Sequence, residues 1–270
     1  MSRAAEGWSR IGNAEEVASP ALLVYPDRIE RNIRAMVRIA GGPERLRPHV
    51  KTHKMAEIVR LQQDAGIDRF KCATLAEAEM LARCAVRHAL LALQPVGPNG
   101  ARLAGLARIF PQTRFGAIVD HPDSARALAR AAQDGQVTLD ALVDLDCGMG
   151  RTGIAPGPEA FELYRLICGL PGLTAGGLHA YDGQIHDRDP AERRRRVEAA
   201  MAPVRTLREH LEKAGLPVPR LVAGGTPTLA AHAAVGDREC SPGTCVLWDA
   251  GYARLFPDLD FQPAAALLTR

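Results

Sequence analysis

"RPHVKTHK", residues 47–54, holds two lysines and two histidines within six positions, directly after Pro48. Such a cluster is either a solvated basic turn or a strand end that delivers a reactive amine into a pocket. Period-two alternation puts Leu46, Pro48 and Val50 on one face and Arg47, His49 and Lys51 on the other. Lys51 then stands at the C-terminal end of a first strand. In an α/β barrel that end is the working face. A lysine partly desolvated there, beside other cations, loses basicity and becomes the nucleophilic amine that a Schiff base requires. Taken alone, the stretch favours the solvated turn, and the rest of the chain has to decide.

Outward from this stretch, short apolar runs alternate with helical patterns. Strands are expected near "RLRPHVKT", "DRFKCAT", "HALLAL", "RFGAIV", "TLDALVDLD", "LTAGGLHA", "PRLVAGG" and "ECSPGTCV". Helices are expected over 55–65, 75–84, 99–109, 121–133, 158–168 and 191–214, with a short one after Pro227. Thr74 and Glu77 form a capping box, Pro122 opens a first turn, and "AGI" and "AGL" are glycine stops. Eight strands alternating with helices predict an α/β fold, a (β/α)8 TIM-type barrel. An open doubly wound sheet is second, but a Rossmann fold wants a glycine fingerprint where "KTHK" stands. Residues 1–25 read as a polar leader and lead-in strand, with a helix starting at Pro26–Asp27. Residues 26–250 read as the barrel. Residues 251–270 read as the start of a C-terminal β-domain that is cut short. The closing run "AAALLTR" is expected to lack a strand partner.

Composition narrows the classes of function. Of 270 residues, 47% are hydrophobic and only 4% aromatic, so the core rests on Ala, Leu, Val and Ile. A net charge of +3 forms no basic stripe, so a nucleic-acid partner is not expected. The run "RRRR" at 193–196 lies in a helical pattern and reads as a solvated helix face. Six scattered cysteines make no disulfide or zinc framework. With no apolar run of spanning length and no signal-peptide pattern, no membrane partner is expected and a reducing cytoplasm is the default.

Three further motifs carry polar groups to strand ends. "DLDCGMGRTG" (144–153) is a glycine-rich loop with one arginine, Arg151. "GGLHAYDGQIHD" (176–187) offers Tyr181 and a set of His179, Asp182, His186 and Asp187. That spacing suits no metal geometry, so these four are read as loop polar groups, with His186 kept as a proton-transfer candidate. "AGGTPTLAAH" (223–232) places Gly225 and Thr226 at a helix start after a strand, where free N–H groups bind phosphate.

"RPHVKTHK" followed by "FKCATLAEAEML" (70–81) resembles the start of the D-threonine aldolase and D-serine dehydratase group, pyridoxal-phosphate enzymes of the alanine-racemase fold. The resemblance spans roughly residues 18–270. It implies that Lys51 carries pyridoxal 5'-phosphate and that Lys54 is a bystander. It implies that Arg151 bonds the cofactor's phenolic oxygen and that Tyr181 contacts the cofactor. "SPGTCVLWD" (241–249) is similar to the alanine racemase phosphate element, which assigns Gly243 and Thr244 to the phosphate. Ser241 stands where a racemase has an arginine facing the ring nitrogen, so racemisation is less well supported than aldol cleavage or dehydration. The resemblance further implies a small D-amino acid substrate and a homodimer when full length. It also implies a divalent Mn or Zn ion whose ligands lie in a C-terminal domain and not in this chain. The activity implied is retro-aldol cleavage of D-threonine-like substrates. D-serine or 3-hydroxy-D-aspartate dehydration is second, and a non-catalytic pyridoxal-phosphate homeostasis protein is the alternative of another class.

Overall fold

In the computed structural model, which describes residues 7–269, the α/β barrel expected from the alternation is present. Seven parallel strands form its wall in sequential order: β2 (Arg69–Cys72), β3 (His88–Leu91), β4 (Arg114–Val119), β5 (Leu139–Leu145), β6 (Leu173–Ala180), β7 (Leu221–Ala223) and β8 (Glu239–Cys240). Between them run α3 (Leu75–Arg83), α4 (Asn99–Ile109), α5 (Pro122–Asp134), α6 (Pro158–Gly169), α7 (Pro190–Lys213) and the short α8 (Leu229–Ala233). Helices α1 (Pro26–Ala40) and α2 (Ala56–Asp64) flank the entry to the wall.

The first stave differs from the expected strand. "RLRPHVKT" makes no ladder; Leu46 and His49 form single parallel bridges to Cys240 and Lys71. Pro48 has no N–H to give, so the stave bonds through alternate groups. Arg47 and His49 donate to the carbonyls of Cys240 and Pro242, and Lys71 donates to Pro48 O, each at 2.8 Å. Residues 46–49 thereby join β8 to β2 and close the ring. Val50–Thr52 then tighten into a 3₁₀ turn, so Lys51 sits in a turn at the stave's end.

Parallel strands covered by helices should read as continuous apolar runs, and every residue of β3 and of β5 is buried. The core is built from Ala, Leu, Val and Ile, as the low aromatic content requires. Local signals place the helices. Thr74 Oγ1 accepts the Glu77 N–H at 3.1 Å, and the Glu77 carboxylate accepts the Ala73 N–H at 2.7 Å. Pro26, Pro122, Pro158 and Pro190 each occupy a first helical turn.

Two expectations are corrected outside the wall. The closing apolar run is paired: β9 (Ala265–Leu268) lies antiparallel to β1 (Ala21–Val24), far away in sequence, in register Ala21 with Leu268. Non-local pairing of this kind leaves no local trace in the sequence. The "RRRR" run is not a wholly solvated face. Arg193 is buried, pairs with Asp258 and stacks over Phe256 at 5.2 Å, while Arg196 pairs with Asp187 at 2.9 Å. Between the barrel and β9 lies α9 (Ala250–Leu255), with Trp248, Tyr252, Phe256 and Phe261 in mutual ring contact around it.

Candidate active site

The C-terminal ends of the staves surround a cavity of about 560 Å³. Lys51, Lys71, Arg151, Tyr181, Gly225, Thr226, Gly243 and Thr244 all line it, and no carboxylate does. Seven of the eight positions expected from sequence are thus brought to one place from five separate segments. The eighth, His186, is exposed and lies outside the lining, because Ile185 turns inward in its stead. A larger groove of about 810 Å³ runs along α6 between Asp120 and Leu170, and it gathers no comparable set of groups.

Tyr181 organises the cation side. Arg151 Cζ lies 4.9 Å from its ring centre, Lys71 Nζ 5.7 Å and Lys51 Nζ 5.8 Å. The glycine-rich loop that carries Arg151 is held by Asp146, whose carboxylate accepts the Gly148 and Gly150 N–H groups at 2.9 and 3.0 Å. Ile154 then returns to bridge Leu145, which leaves Arg151 at the tip. Lys51 is reachable from solvent. Partial burial of its amine, and next the Arg151 charge, hold it below the ordinary lysine value. Lys54 sits beyond the cavity with φ 51°, and its amine is used on Lys51 O at 2.7 Å.

Lys71, His179, Asp144 and Gln94 form a chain that reading the sequence did not single out. His179 lies on β6, fully packed, and is not a loop group. Its Nδ1 meets Asp144 Oδ1 at 2.7 Å, and Gln94 Nε2 donates to Asp144 Oδ2 at 3.0 Å. Burial, then the Lys71 charge, depress the His179 pKa, so the ring is neutral. With Nδ1–H given to the carboxylate, Nε2 keeps its lone pair and faces Lys71 Nζ at 3.4 Å. Burial is the largest influence on Asp144 and opposes its ionisation, but His179, Thr152 and Gln94 together outweigh it and hold the carboxyl below its usual range. A lysine inside a buried parallel strand, flanked by Phe70 and Cys72, was the available signal for Lys71. Asp182 is likewise buried and structural: it meets His232 Nε2 at 2.7 Å and the Thr228 hydroxyl at 2.9 Å. Among the described residues no group of three or more His, Cys, Asp or Glu is arranged to hold a metal ion.

The far end of the cavity fits a phosphate-bearing aromatic ring. A Cβ on Gly225 would stand 3.1 Å from Tyr181 Cε2, and one on Gly243 would stand 3.1 Å from His49 O, so a side chain at either place would press on its neighbour. The amides of Gly243 and Thr244 both point at the Thr226 hydroxyl, each at 3.0 Å. This refines the expectation, since Thr226 acts through its side chain, and the helix after it begins only at Leu229. Ser241 is buried in the lining and its hydroxyl has no hydrogen-bond partner, a vacancy that a ring nitrogen would fill. The residues therefore fit pyridoxal phosphate: Lys51 for the aldehyde end, Arg151 for the phenolic oxygen, Ser241 for the ring nitrogen, and the Gly225–Thr226 and Gly243–Thr244 turns for the phosphate.

The chain is similar to several known proteins. The family described as "Alanine racemase, N-terminal domain" matches residues 24–249. The chain is 31% identical to 3-hydroxy-D-aspartate aldolase of Paracoccus denitrificans (strain Pd 1222), over 89% of this chain and 63% of that protein. It is 29% identical to D-threo-3-hydroxyaspartate dehydratase of Delftia sp. (strain HT23), over 86% of this chain and 61% of that one. The crystal structure of D-threonine aldolase from Filomicrobium marinum superposes with a TM-score of 0.88 at 32% identity, covering 94% of this chain and 70% of that one. The chain spans less than two thirds of the length of both curated relatives.

Proposed function

The chain belongs to the alanine racemase N-terminal domain family, and from that premise we propose that it is the barrel of a pyridoxal-phosphate-dependent lyase acting on D-β-hydroxy amino acids. The reaction we favour is retro-aldol cleavage of D-threonine-like substrates to glycine and an aldehyde. One observation carries the reading: a solvent-reachable lysine of lowered basicity faces Tyr181 and Arg151 across an acid-free cavity with a glycine floor. The likeness to the aldolases and the dehydratase supports it.

Pyridoxal phosphate, when bound, supplies the electron sink that lets a bond at the substrate's Cα break. The chain's own residues do the rest. Lys51 holds the cofactor through its amine, and its lowered basicity keeps more of that amine unprotonated and nucleophilic near neutral pH. Arg151, stacked on Tyr181, would hold the cofactor's phenolic oxygen and favour its anionic form. Tyr181 and Gly225 set the ring's place by contact. Ser241 offers a neutral hydroxyl, which leaves the ring nitrogen without a charged partner. Arg151 in the lining would attract an amino acid's carboxylate.

Two measurements test the proposal. The chain given cofactor should absorb in the visible; Lys51→Ala should abolish the band and Lys54→Ala should leave it. The reverse result would sink the assignment. Incubation with D-threonine and with 3-hydroxy-D-aspartate should release glycine and aldehyde. A keto acid instead selects β-elimination of water, the second reading, and neither product selects a non-catalytic binder.

A further inference from the structure

Lys71 is buried in the cavity wall, and among the described residues its amine has one hydrogen-bond partner, the lone pair of a neutral imidazole. No carboxylate touches it. The groups that face it are mostly cations or neutral. From the first stave and its turn come Arg47, His49 and Lys51; from β5, Asp144; from β6 and the loop beyond, His179, Tyr181 and Asp182. Asp144 is already committed to His179 and Gln94, and Asp182 to His232 and Thr228. A buried amine without a counter-ion, beside Lys51 and Arg151 in a cavity that no carboxylate lines, is an incomplete ion pair whose missing half is an anion.

We propose that a dianionic oxyanion entering this cavity is bound together with a proton, and that Lys71 is the residue that takes the proton up. The step is one of proton transfer from bulk water to Lys71 Nζ: the amine lone pair becomes an N–H bond, and the anion's charge faces the new ammonium. Burial first, then the Lys51 charge, bring the Lys71 pKa down to about 7 in the empty cavity. A bound anion moves it back up. The sign is fixed: uptake occurs above about pH 7, and it fades in acid, where Lys71 is charged before the anion arrives. This rests on the reading of the cavity as a phosphate-bearing cofactor's site, and it adds that occupancy and pH are coupled there through a second lysine.

Sulfate is the probe, because it does not titrate in this range. The cofactor-free chain is titrated with sodium sulfate at pH 8 in two buffers of different ionisation enthalpy, and the protons taken up per sulfate are read from the difference. The expected result is uptake approaching one proton in the unsubstituted chain, none at pH 5.5, none in Lys71→Met, and full uptake in Lys54→Met. In Lys51→Ala, the variant that tests the cofactor assignment, loss of the Lys51 charge should move the uptake to higher pH without abolishing it, so the two ideas fail separately. Uptake unchanged in Lys71→Met, no pH dependence in the unsubstituted chain, or no sulfate binding at all would each overturn the proposal.

Discussion

The two ends of the barrel use the same kinds of residue in opposite ways. At the N-terminal end, Arg114 and Arg220 close on buried Asp140 at 2.9 and 2.8 Å, and Arg47 and Arg69 close on Glu239 at 2.7 and 3.1 Å. Every arginine there has a carboxylate. At the C-terminal end, Lys51, Lys71 and Arg151 face one cavity with no carboxylate in its lining. The first end is closed within the chain, since Asp140 and Glu239 each pair with two arginines. The second is satisfied only by something that enters. What distinguishes a structural cluster from a binding site is whether the charges are already paired.

Removing one carboxylate from the paired end breaks that comparison most severely. Asp140→Ala strands Arg114 and Arg220 beside a buried site, and breaking a buried pair from one side costs about 3–5 kcal/mol. Urea unfolding should show that loss, with little change in cofactor affinity. At the other end the reverse pattern is expected. Gly225→Val pushes a side chain into Tyr181, so cofactor affinity should fall more than tenfold, about 1.4 kcal/mol or more, with stability nearly unchanged. A cofactor dissociation constant left as it was would remove Gly225 from the site.

Acid should loosen the paired end. Burial tends to raise the Glu239 pKa, but Arg47, Arg69 and Arg220 outweigh it and hold the carboxyl below its ordinary value. A depressed folded pKa contributes stability that is present above the unfolded value and lost as pH falls through the folded one. Unfolding free energy should therefore decline below about pH 4.5, and Glu239→Gln should flatten that decline. The smallest effect is expected on the outer surface. Arg83 and Glu79 on α3 form an exposed pair at 2.8 Å, and Arg83→Ala should change stability by less than about 1 kcal/mol. A loss there equal to that of Asp140→Ala would mean that burial does not separate the two clusters.

The helices and most of the wall were legible in the sequence. The helix expected over 99–109 spans Asn99–Ile109, because its limits are written in local signals. Lys51, Arg151 and Tyr181 were legible through their motifs. His179 was read as a loop group because a histidine's place on a strand says nothing of what lies across the barrel. His186, one loop further on, shared its motif and not its position.

The sequence by itself determined the alternation of strands and helices, the helix starts, and which segments carry polar groups to strand ends. These follow from periodicity and from capping, which act over a few residues. Only the tertiary structure decided that residues 46–49 close the ring, that β9 pairs with β1, and that Asp140 and Glu239 neutralise four arginines drawn from distant segments. It alone set Lys71 against His179 with no carboxylate in reach. The reason is physical. Pairing, burial and the basicity of an amine depend on what chain closure brings within a few ångströms, and that distance is not written in the spacing of residues along the chain.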